Sequence, residues 1–283
     1  MLERDEYIEQ AYFFRALSER MQQNVATQDL IVSVRDEILS TTRLPMALDF
    51  LASELKLKGV FSTAMAHLAH YFTTFQTFIV AQAESDRGRF DFTVAVEILH
   101  REAAYRAKEP SRQGLFLYQF ETLCRNRLRY DHGLDAMAGD SFYDEPWRQW
   151  LHTVQRQIGM VDIADLIYVR SQYYAIVQQR EGKVADPTWT PLFGEKEGKI
   201  ALANRRKDPL WLFAALQRHL DYPAVARPKQ GQDDRQLLPT LLRRVERLEL
   251  RLKLLEEEQK GGIDLSKFYK PGQFSPDEPD EIG

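Results

Sequence analysis

Apolar residues return every three or four positions through most of the first 180 residues, the spacing that puts side chains on one face of a 3.6-residue helix. Tyr7, Ile8, Ala11, Tyr12, Phe14, Leu17 and Met21 mark a first helix, and Leu30, Ile31, Val34 and Ile38 a second. A third starts near Pro45, whose missing N–H costs nothing in a first turn, and carries Leu48, Leu51 and Leu55 to a left-handed exit at Gly59. The stretch from Gly59 to Ala83 contains no Asp, Glu, Lys or Arg and predicts one long helix buried centrally in the bundle. Asp91 caps the next helix, with Phe92, Val96, Leu99 and Ala103 on one face until Pro110. Three further runs follow: Phe116, Phe120, Leu123 and Leu128 before Gly133; Trp147, Trp150, Leu151, Val154 and Ile158 before Gly159; Ile163, Leu166, Ile167, Tyr173, Tyr174 and Val177 before Gly182. Each glycine stands where a helix C-cap is expected. No segment shows strand alternation or an Asn-Gly hairpin, and no pattern repeats, so the prediction is an all-α multi-helix antiparallel bundle rather than a solenoid.

The pattern weakens at Gly182, where "EGKVADPTWTPLFGEKEGK" reads as an extended crossing segment over about 182–207, pinned to the bundle by Trp189 and Phe193. Asp208 and Pro209 then open a short apolar helix, "LWLFAALQRHL", that Pro223 closes. The expected divisions are a bundle domain over 1–223, a polar linker over 224–236, a coiled-coil helix over 237–260 and a flexible acidic tail over 261–283.

Residues 237–260 carry a separate seam. Leu238, Leu241, Val245, Leu248, Leu252 and Leu255 follow at steps of three, four, three, four and three, which is the a/d repeat of a left-handed coiled coil. In a parallel dimer, Arg244 at g faces Glu249 at the next e of the partner, and Arg251 faces Glu256 in the same way. Leu250 and Leu254 lie outside the seam and widen the apolar surface, so packing onto the chain's own bundle and capture of a foreign helix stand beside self-association. In the tail, Phe268, Tyr269 and Phe274 suit either a partner-docking motif or a fold back over the coil.

Composition narrows the function classes. The formal charge of −4, from 42 acidic against 38 basic side chains, is too small to draw nucleic acid or membrane by long-range field. The Arg125, Arg127, Arg129 and Arg205, Arg206, Lys207 groups are expected to be solvated charge at helix ends rather than a phosphate track. Ser62, Thr63, His67, His70 and the other polar groups of the uncharged stretch argue against a membrane span. The lone Cys124 forms no intramolecular disulfide and reads as a small core residue, and the acidic N-terminal segment lacks a secretory pattern, so a cytoplasmic location is expected.

No phosphate loop, zinc-type cysteine cluster or serine elbow is present. One chemical constellation remains: His67 and His70 on one helix with Glu97 and His100 on another, at the three-residue spacing by which facing helices surround a metal. The second Glu-x-x-His pair that a di-iron bundle requires is missing. The expectation is therefore a non-enzymatic interaction or scaffold protein without a cofactor, with protein partners and self-association through the C-terminal helix; a metal- or cofactor-binding oxidoreductase is the alternative.

Overall fold

Seven of the described helices start at short polar side chains that accept hydrogen bonds from N–H groups the first turn leaves free. The computed structural model of the chain describes residues 2–21, 27–85, 90–182 and 189–228, which belong to one compact unit, Met1–Pro228. Among them the chain forms thirteen helices and no strand. The first six are α1 (Arg4–Arg20), α2 (Thr27–Arg35), α3 (Leu44–Lys58), α4 (Phe61–His67), α5 (Thr74–Glu84) and α6 (Phe92–Arg106). They are followed by α7 (Arg112–Arg125), α8 (Tyr130–Ala138), α9 (Glu145–Gln157), α10 (Ile163–Val169), α11 (Gln172–Arg180), α12 (Glu195–Ala203) and α13 (Pro209–Leu220). Side chains of Asp91, Ser111, Asp144, Asp162, Ser171 and Asp208 cap α6, α7, α9, α10, α11 and α13. The caps expected at Asp91 and Asp208 are thus present. So is the left-handed exit at Gly59, where φ is +70°.

The uncharged stretch is two helices, not one. Thr73 Oγ1 accepts from the Gln76 backbone N–H at 3.2 Å, while Gln76 Oε1 accepts from the Thr73 N–H at 3.1 Å. This reciprocal capping box starts α5 afresh and leaves Leu68–Phe72 as a turn. The central helix is instead α7, in which all ten residues from Gly114 to Leu123 are buried, polar Gln119, Glu121 and Thr122 included. Aromatic rings gather on it: Phe116 lies 4.8 Å from Trp150, 5.8 Å from Trp147 and 5.5 Å from Phe120. On the other side of the core α1 packs along α6, and α5 joins α6 to α8. One continuous apolar cluster runs from Ala11 to Ala226.

Three further expectations are corrected. The run from Ile163 to Val177 breaks at Arg170 and Ser171, because that corner pairs with the crossing segment: Leu192 N–H donates to Arg170 O at 2.8 Å and Gln172 N–H to Phe193 O at 2.9 Å. Phe193 is thereby buried among Phe116, Trp147 and Trp150, and Trp189 rests against Tyr174. The crossing segment also contains α12, which its glycines concealed. Gly133 lies inside α8 rather than at a cap; a Cβ there would come within 2.6 Å of Leu123 Cδ2, so the glycine admits close packing of α8 on α7. The packed chain continues past residue 223. Tyr222, Val225 and Ala226 are buried, Arg101 donates to Ala224 O at 2.7 Å and Asn126 to Ala226 O at 3.0 Å. The remaining linker, the coiled-coil residues 237–260 and the tail 261–283 lie outside the described residues.

Removing the reciprocal cap tests the division of the uncharged stretch. Thr73→Ala is expected to lower the unfolding free energy by about 1 kcal/mol in urea titration, the usual cost of losing an N-cap. A value within error of zero would show that the α4–α5 break is held by something else.

Candidate functional site

The most unusual chemistry in the described residues lies inside the core. Glu102 and Arg106 stand one turn apart on α6, and Asp140 follows α8; all three side chains are almost wholly buried. Arg106 Nη2 donates to Glu102 Oε1 at 2.9 Å and also to Asp140 Oδ2. Gln119 of α7 donates to the same Glu102 oxygen at 2.7 Å, and Tyr143 OH donates to Gln119 Oε1 at 2.8 Å. The guanidinium lies 6.0 Å from the Tyr7 ring of α1 and 5.8 Å from that of Phe142. The cluster therefore ties α1, α6, α7 and the segment after α8 together.

Its electrostatics are strained by design of the charge count: two carboxylates face one cation away from water. Burial raises the Glu102 carboxyl above its ordinary range; Arg106 opposes this and Asp140 reinforces it. Burial also works against the Arg106 charge, but Glu102 and Asp140 outweigh it and hold the guanidinium above its usual value. Glu102 Oε2 and Arg106 Nη1 carry no hydrogen bond among the described residues. Burial keeps the nearby hydroxyls of Tyr118 and Tyr143 protonated far above the ordinary tyrosine range. A second buried group repeats the theme, with Tyr222 OH donating to Glu121 Oε2 at 2.7 Å and Arg125 Nε to Glu121 Oε1.

Phe142, whose ring meets Arg106, also lines a cleft of about 400 Å³ together with Pro110, Ser111, Arg112, Gln113 and Trp147. Arg112 is its one ionisable lining residue, and it is engaged with Phe142 O at 3.2 Å and with Asp144 at 3.4 Å. The Ser111 hydroxyl is engaged as the α7 cap, accepting from Gly114 N–H at 3.1 Å. The cleft lining holds no base to activate that hydroxyl.

The four residues considered for a metal are not brought together. His67 ends α4 and is exposed, with Nδ1 3.7 Å from Glu54 and its ring edge-on to Phe50; His70 is exposed in the turn that follows. Glu97 accepts from Arg101 Nε at 2.7 Å, and His100 Nδ1 lies 2.9 Å from Ala11 O. Among the described residues no three His, Cys, Asp or Glu side chains converge as metal ligands. The physical reason is the end of α4 at His67: the expected pairing needed His67 and His70 on one continuous helical face.

Two of the six basic side chains are engaged by carboxylates: Arg125 bonds Glu121, and Arg205 bonds Asp165 and lies 5.7 Å from the Tyr168 ring. Arg206 donates to Asp162 at 2.7 Å through its backbone N–H. Cys124 is a core-edge residue whose thiol burial pushes up to about 11, in keeping with its reading as structural. No described helix is long and apolar enough to cross a membrane. The coil positions Leu238, Leu241, Arg244, Val245, Leu248, Glu249, Arg251, Leu252, Leu255 and Glu256, and the tail residues Phe268, Tyr269 and Phe274, lie outside the described residues.

Fold and site together define an all-α helical-bundle protein whose titratable clusters are built into its interior. Compared with protein-family models, with curated proteins and with solved structures, the chain finds no significant match.

Two variants separate the roles within the cluster. Arg106→Leu leaves two buried carboxylates without their cation and is expected to destabilise by about 3–5 kcal/mol in chemical denaturation. Glu102→Gln acts through pH. Because the folded-state pKa is raised, the stability Glu102 contributes is present below its unfolded value and is lost as pH rises through the folded one. Relative to the native chain, Glu102→Gln should therefore gain stability with rising pH above about 4.3, at no more than about 1.4 kcal/mol per pH unit. Melting temperatures of both proteins across pH 4 to 8 check this, and a difference independent of pH would contradict it.

Proposed function

We propose that the protein is a non-enzymatic helical interaction or scaffold protein that self-associates through residues 237–260, as a parallel dimer that presents its bundle to protein partners in the cytoplasm. The observation that carries this reading is the unbroken a/d spacing of Leu238, Leu241, Val245, Leu248, Leu252 and Leu255, with Arg244 matched to Glu249 and Arg251 to Glu256 across a parallel pair. The bundle lends support from the other side. Its buried ionisable groups are engaged with one another, and its cleft sets no nucleophile beside a base. A core built in this way holds a shape, which is what a scaffold requires. Phe268, Tyr269 and Phe274 give the tail the aromatic anchors by which short motifs dock on a partner.

Light scattering on the full chain is expected to give at least twice the 33.0 kDa chain mass. The double substitution Leu241→Glu with Leu248→Glu, which places charge at two d layers, should lower that mass. Equal masses for the two proteins would overturn the assembly reading.

A further inference from the structure

α3 turns apolar side chains both inward and outward. Leu44, Ala47, Leu48 and Leu51 are buried in the core, whereas Met46 is 72% exposed, Leu57 79% and Phe50 36%. Met46, Phe50, Ser53 and Leu57 follow at steps of four, three and four, so at about 100° per residue they fall within a sector of about 60°. The strip is about 16 Å long at 1.5 Å per residue, and its spacing is that of a coiled-coil seam. It is also preshaped. Ser53 Oγ donates to Asp49 O at 2.8 Å, folding the hydroxyl against its own helix and leaving a hollow between two large residues. The His67 ring meets Phe50 edge-on, 6.2 Å away, and steadies the ring at the rim of that hollow.

The charges beside the strip choose an orientation. If two such helices ran parallel, Asp49 would lie against Glu54 of the other, a like-charge contact. If they run antiparallel, Asp49 lies against Lys56 of the other, twice by symmetry. Asp49 bonds Arg35 through Oδ1 alone and its side chain is 56% exposed, so its second oxygen can accept from a lysine. Lys56 makes no ion pair among the described residues, in contrast to Lys58, which is engaged by Glu54.

We propose that the exposed face of α3 docks on α3 of a second copy of this chain, antiparallel, with Met46 against Leu57 and Phe50 seated over Ser53 in symmetric layers. A strip of this length buries an area at the low end of specific interfaces, below about 1,200 Å² in total, so the contact is weak and concentration-dependent. It is independent of the C-terminal seam. With both in place, each copy has two different self-complementary surfaces, and assembly proceeds beyond a dimer.

The test uses the full chain carrying Leu241→Glu and Leu248→Glu, so that association through the C-terminal seam does not mask this one. Sedimentation across a dilution series is expected to show a monomer–dimer equilibrium that Leu57→Glu, at an exposed position, abolishes without lowering the melting temperature. Asp49→Lys and Lys56→Glu, each alone, set like charges against each other at both symmetric contacts and should weaken association about tenfold, from exposed pairs worth about 0.2–1 kcal/mol each. An equimolar mixture of these two variants re-creates opposite charges at both contacts and should associate as tightly as their parent. A constant monomer mass in the parent, association unchanged by Leu57→Glu, or a mixture no tighter than its components would each overturn the proposal. So would a foreign protein that binds the native chain through Leu57 while self-association is indifferent to that residue.

Discussion

A guanidinium cannot leave water without a carboxylate to meet it, and the bundle is arranged around meeting Arg106. Glu102 meets it from one turn away on the same helix, and Asp140 from the far end of α8. Gln119 and Tyr143 extend the set onto α7 and the segment after α8, and the Tyr7 ring closes it from α1. Apolar contacts supply most of the driving force for folding, but they are non-directional and would tolerate sliding of one helix on another. A shared donor nitrogen between two carboxylates allows one register only. The cluster thereby specifies how α1, α6 and α7 align, at the cost of desolvating three charges.

This arrangement supports the proposed function. Perturbed titratable groups often mark catalytic sites, but those sit in clefts where a substrate can reach them. Here the raised carboxyl of Glu102 and the held-up hydroxyls of Tyr118 and Tyr143 are sealed in the core, and the adjacent cleft offers only Arg112 as an ionisable group. The proposed scaffold reading draws on this buried interior and on the apolar surface left outside it. The outward strip on α3 and the leucine repeat of residues 237–260 are both seams at coiled-coil spacing, one short and one longer, with charge patterns that favour opposite orientations.

Much of the fold is legible along the chain because helix starts and faces depend on residues three or four apart. Asp91, Asp208 and Gly59 act at the termini where their side chains, or lack of one, suit the backbone. The Thr73 and Gln76 pair is equally local and carries the threonine-x-x-glutamine signature, whereas the absence of charge over Gly59–Ala83 predicts a single long helix. The buried cluster also left a trace. Phe92, Val96, Leu99 and Ala103 step by four, three and four, and Arg106 is the next position on that stripe. A charged residue falling on an apolar face is a sign of a buried partner, whereas Glu97 and His100, at metal-like spacing, turned out to have separate local partners in Arg101 and Ala11.

By itself the sequence determined the helical class, most of the helix faces and several of the caps, all of them properties settled within about one turn of backbone. Tertiary structure decided which helix is central, since the polar Gln119 and Glu121 of α7 are buried where Glu102, Tyr143 and Tyr222 bond their side chains. It decided the break at Ser171, which depends on Phe193 arriving from 22 residues on. It also decided that Arg106 would be met by Asp140, 34 residues away. Periodicity says which side of a helix is dry; what stands on the other side is a long-range fact, fixed only when the chain has closed on itself.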